Sequence, residues 1–108
     1  MSDSIRELTA RIDEFARARD WGRFHTPKNL SMALIVEAAE LVEHFQWLTA
    51  EESVEHSRDD HRKAAVADEL ADVAIYLMRL ADVVGVDLGE AVAAKLRANE
   101  ERFPELTP

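Results

Sequence analysis

Apolar residues recur three and four positions apart through most of this chain, and that period belongs to a helix packed on one face. Ile5, Leu8, Ile12 and Phe15 make a first stripe; Leu30, Leu34, Ala38, Leu41 and Phe45 make a second. Val66, Leu70, Val73, Leu77, Leu80 and Val84 make a third. The three glycines and three prolines stand at the borders of these stretches, where helices tolerate them. No segment shows the two-residue alternation of a strand. The spacing predicts an all-α fold: an antiparallel four-helix bundle, one domain over residues 1–108.

Local punctuation sets the expected ends. Ser4 with Glu7 has the form of a capping box, and residues 21–25 read as a loop. Thr26 then caps a second helix with Pro27 at its first position, running to about residue 47. Thr49 with Glu52 offers another box and a short helical piece in the polar segment 48–58. The third helix is expected from about residue 60 to 84, with Gly85 at its end. Asp87 with Glu90 caps a fourth, which continues to about residue 102 before Pro104 stops it.

Composition narrows the partners. The chain has 108 residues, a formal net charge of −9 and a pI near 4.8, which argues against a nucleic-acid polymer. Cysteine is absent, so disulfides and thiolate metal sites are excluded. The first 15 residues are mixed and charged with no apolar signal core, and no run has membrane-spanning length. A cytoplasmic protein is expected. Broad Ala, Leu and Val faces on long helices exceed what one protomer covers, so a homodimer or homotetramer is expected too.

The chemistry lies in two acidic pairs. Glu37 with Glu40, and Glu69 with Asp72, each set two carboxylates side by side at i, i+3 on a helix. Glu37 and Glu69 each border the apolar arc of their helix, and Glu40 and Asp72 lie one step further out on the same side. His44 and Tyr76 follow seven residues after the first acid of each pair. Such pairs repel and are costly to desolvate. If the two helices pack antiparallel, four carboxylates share a pocket. Hard oxygen donors in that number suit Mg²⁺, or Mn²⁺. Di-iron bundles need a Glu-x-x-His element, and none of His25, His44, His56 or His61 follows a glutamate by three. Zinc is poorly served without cysteine or a His pair at i, i+4. Most acidic pairs in a chain with 22 acids are solvated surface charge; the duplicated edge position is what singles these out.

The segments HTPKNL at 25–30, FQW at 45–47 and DELADVAIYL at 68–77, together with the acids, resemble the all-α nucleotide pyrophosphohydrolases of the MazG and dCTP pyrophosphatase type. The likeness extends over about residues 12–104. It implies Mg²⁺-dependent hydrolysis of a nucleoside triphosphate to the monophosphate and pyrophosphate, in oligomers whose active sites lie at subunit contacts. Residue by residue, Glu37, Glu40, Glu69 and Asp72 match the metal ligands. Trp21, His25, Trp47 and Tyr76 match positions lining the nucleotide pocket, and Lys95 and Asn99 match fourth-helix positions near substrate. Ile12 stands where some dCTP pyrophosphatases have a pocket histidine, and Phe103 where a tyrosine is common. The spacer 47–62 is shorter than in animal members.

The resemblance thus implies a house-cleaning enzyme for dCTP or a modified relative, with Glu37 or Glu40 as the base for the attacking water. Two alternatives remain open at this point: a phosphoribosyl-ATP pyrophosphatase-like enzyme, against which the 21–30 loop speaks, and a non-catalytic helical dimerisation module. Trp21 and Trp47, near helix ends, suit stacking on a base or closing the core.

Overall fold

The computed structural model describes residues 4–106, so the parts of the terminal readings that fall on 1–3 and 107–108 lie outside it. Five helices follow in order: α1 (Ile5–Ala18), α2 (Pro27–Glu43), α3 (Ala50–His56), α4 (Asp60–Val83) and α5 (Leu88–Arg102), with a 3-10 turn at Gly22–Phe24. The all-α expectation holds. The count is five: four long helices and α3, the short helical piece expected in the polar segment. No strand occurs among the described residues.

Each helix starts where a short polar side chain accepts from the first free backbone N–H groups. Ser4 accepts from Glu7 N, Thr26 from Asn29 N, Asp59 from Arg62 N and Asp87 from Glu90 N. Thr49 and Glu52 bond each other's backbone reciprocally at the start of α3. Helix α2 ends at Glu43, earlier than the apolar period implies, because residues 44–48 tighten into turns: Phe45 N donates to Val42 O (2.9 Å) and Leu48 N to Phe45 O (3.0 Å).

Helices α2 and α4 form the main pair, and α1 packs on α4. Two contacts fix the direction. His25, ahead of α2, meets Arg79 late in α4, while Glu37, deep in α2, meets Glu69 early in α4. The order is opposite, so α2 and α4 run antiparallel. Helix α5 touches α1 and α4 only lightly and buries no side chain.

The protomer is not a closed bundle. Among the described residues only Ala16, Leu30 and Ala81 are buried apolar side chains. The chain exposes 8584 Å², against about 6,100 Å² for a compact 12.2 kDa monomer. Its radius of gyration is 16.9 Å, where about 13 Å is usual for this length.

Candidate functional site

The α2–α4 pairing brings Glu37, Glu40 and Glu69 together. One carboxylate oxygen from each lies within 4.8 Å of the others, and all three side chains are half-buried. Within this trio, Oε2 of Glu37 and Oε2 of Glu69 are buried and have no hydrogen-bond partner among the described residues. Native structures rarely leave such atoms unsatisfied without reason.

The electrostatics follow from the crowding. Burial comes first in pushing the Glu37 carboxyl up to about 7, followed by the adjoining Glu40 and Glu69 carboxyls and the charges of Glu40 and Asp72. Asp72 is therefore close enough to act on Glu37 through its charge. It is exposed and stands outside the trio, so the structure gathers three of the four expected acids tightly and sets the fourth beside them. Two buried orphan oxygens among three clustered carboxylates fit a hard divalent cation held by oxygen donors.

The expected nucleotide side chains divide into two groups. Trp21 and His25 are neighbours, with ring centroids 6.2 Å apart and edges facing. Their placement starts at the end of α1, where Trp21 N reaches back to Ala16 O (2.9 Å) and Asp20 N to Arg17 O (3.1 Å). Asp20 takes the left-handed conformation this needs, at φ 56°. The turn sets Trp21 against Phe15, 5.4 Å between centroids. His25 is then clamped by Arg79, whose Nε donates to His25 Nδ1 (2.9 Å), while Asn29 Nδ2 donates to Phe24 O (3.0 Å) to hold the loop against α2.

The remaining expected residues lie on other elements. Trp47 is 86% exposed at the far end of the α2 turns. Lys95 is exposed and Asn99 half-buried on the loosely packed α5. Tyr76 is half-buried on α4, two turns beyond Glu69. His44 and His56 are half-buried, their ring centroids 6.2 Å apart, with the Phe45 ring 5.2 Å from His56; the turn after α2 sets His44 and Phe45 against the end of α3.

Arg79 and Asp13 join His25 in a network that the sequence pattern does not mark. Arg79 is 6% exposed and donates from Nη1 to Asp13 Oδ1 at 2.6 Å, across 66 positions. Its Nη1 also lies 3.6 Å from Asp82. The sole signal in the sequence is a cation at Arg79 three residues from both Tyr76 and Asp82, on a helix otherwise acidic or apolar around its inner edge.

Fold and site define an all-α protein with a carboxylate centre held between two antiparallel helices. The sequence pattern of the MazG-like family matches residues 32–107. The chain is similar to dCTP pyrophosphatase 1 of Bos taurus, 44% identical over 102 residues that cover 94% of this chain and 59% of the relative. The human protein of the same name is 45% identical over 94% of this chain and 58% of its own length. The chain thus spans less than two thirds of these relatives. Among solved structures, it is similar to a pyrophosphatase from Archaeoglobus fulgidus, with TM-score 0.86, 40% identity, and coverage of 97% and 96% of the two chains. The chain belongs to the MazG-like family.

Proposed function

We propose that this protein hydrolyses a nucleoside triphosphate, dCTP or a modified dCTP, to the monophosphate and pyrophosphate in a Mg²⁺-dependent reaction. The observation that carries the reading is the Glu37, Glu40 and Glu69 trio with its two buried, unpartnered oxygens. Similarity to proteins named dCTP pyrophosphatase and pyrophosphatase supports the reaction class.

Glu37, Glu40 and Glu69, joined by Asp72, would hold the cation. Bound there, Mg²⁺ would offset the charge of the triphosphate, which an acidic surface otherwise repels. The chain's own residues supply positioning and proton handling. Glu37 or Glu40 orients a water toward the α-phosphorus and accepts its proton. Trp21 and Trp47 offer ring faces to the base, His25 and Tyr76 offer polar atoms beside them, and Lys95 with Asn99 face the phosphates.

Trp47 and Lys95 are exposed in a single chain, so the proposal includes a second copy that completes the pocket, in a homodimer or homotetramer. It also includes a cytoplasmic setting, where nucleotide pools are kept; no described helix is long and apolar enough to cross a membrane.

Pyrophosphate release measured over a panel of ribo- and deoxynucleotides, with and without Mg²⁺, tests this. Turnover of dCTP or a 5-substituted dCTP, lost on chelation, is expected. No turnover of any nucleotide would leave the helical dimerisation module, and turnover of phosphoribosyl-ATP alone would move the substrate to the second enzyme class.

A further inference from the structure

Arg79 is the one charged side chain among the described residues that is buried, and the carboxylate chemistry makes no use of it. Its planar fork is shared between two elements. Nε donates to Nδ1 of His25 at 2.9 Å, and Nη1 donates to Oδ1 of Asp13 at 2.6 Å. Guanidinium keeps its charge at every pH a folded protein meets and has no acceptor atom. Nδ1 of His25 must therefore present its lone pair, and a neutral imidazole bonded in this way carries its hydrogen on Nε2.

We propose that Arg79 is a positioning residue for nucleotide recognition: by bridging Asp13 and His25 it locks His25 as the neutral Nε2–H tautomer, a fixed donor for an acceptor atom of the nucleoside. The proposal rests on the reading of His25 as a pocket residue. A proton added at Nδ1 would break the bond and set two cations against each other. Burial, and after it the Arg79 charge, accordingly hold His25 below the usual histidine range.

The groups around this network agree. Asp13 is held below the ordinary carboxylate range, chiefly by its bond to Arg79, so it stays anionic. Arg17 pairs with the other oxygen of Asp13 at 2.7 Å, and Asp82 lies beyond Arg79 at 3.6 Å. Asp13 and Asp82 both approach Nη1, while Nε is directed at His25. A donor that cannot turn into an acceptor favours bases presenting a carbonyl oxygen or ring nitrogen and rejects those presenting N–H, because the mismatch buries an unpaired group.

Two measurements decide it. Imidazole ¹⁵N NMR of the labelled wild-type protein, with the His25 signals assigned by loss in His25→Gln, is expected to show protonated Nε2 and bare Nδ1 at pH 7 without nucleotide. An Nδ1–H tautomer, a mixture or an imidazolium overturns the proposal, and this holds even if no Arg79 variant folds. In steady-state kinetics, Arg79→Lys keeps a cation facing Asp13 but has no second planar donor. KM is expected to rise about threefold to tenfold, with kcat within about twofold, as for one weakened hydrogen bond. In His25→Ala, the added Arg79→Lys change should have no further effect on KM. If His25→Ala alone leaves KM unchanged, the pocket reading of His25 fails and this proposal with it. If His25→Ala raises KM while a folded Arg79→Lys does not, only the role given to Arg79 fails.

Discussion

Without a bound cation, Glu37 sits near half-protonation at neutral pH, because burial and its acidic neighbours push it up to about 7 from the ordinary 4.5. The folded chain then binds more protons than the unfolded chain between those values. This group's contribution to stability is fully present below 4.5 and is lost as pH rises through 7. His25 acts with the opposite sign. Its folded value lies below 6.5, so its contribution is present above 6.5 and declines as pH falls through the folded value. The two windows overlap, so the Glu37 effect is read as a difference. In chelator, the Tm of Glu37→Gln minus that of wild type should grow from pH 4.5 to pH 7; a flat difference would contradict the geometry of the trio. Glu69→Gln removes one like charge from the same cluster. We expect a higher Tm in chelator, no further Tm rise with Mg²⁺, and turnover lower by about two orders of magnitude or more.

Helices α1 and α4 finish alike, and their difference can be tested. In α4, Val86 N donates to Ala81 O (2.8 Å) and Gly85 N to Asp82 O (3.1 Å), with Gly85 left-handed at φ 78°. Nothing lies within 4 Å of a Cβ added at Gly85, so Gly85→Ala should lose only the backbone term, about 1 kcal/mol in urea unfolding. In α1 the same place is held by Asp20, and Asp20→Gly should gain up to about 1 kcal/mol, reduced slightly by loss of the exposed Asp20–Arg23 pair. These elements also show what was legible in the sequence. Caps are local chemistry, so Ser4, Thr26, Thr49 and Asp87 announce their helices directly. The acids were legible for the same reason, since i, i+3 spacing is a property of one helix. The true end of α2 was not, because apolar residues continue through Phe45 and Trp47 while the backbone tightens. Asp72 standing outside the trio depends on how α4 is rotated against α2, and the Asp13–Arg79–His25 network joins three elements. Period and capping carry no information on either.

The whole molecule has too little interior for its length. Exposed surface exceeds that of a compact monomer by about 2,500 Å², within reach of what obligate homodimers bury. Apolar side chains such as Ile35, Val36, Val42 and Leu96 are among those exposed. The sequence predicted apolar faces broader than one copy covers, but which faces meet is a matter of pairing between copies and leaves no mark in the period of either helix. Sedimentation equilibrium should show a dimer or tetramer, and Tm should rise with protein concentration. A compact monomer at micromolar concentration would contradict this. Of the two tryptophans, Trp21 rests on Phe15 within its own chain while Trp47, 86% exposed, has its indole in water unless another copy reaches it. Native fluorescence is thus a label-free gauge of assembly: serial dilution should shift emission to the red, and Trp47→Phe should silence that shift while Trp21→Phe leaves it.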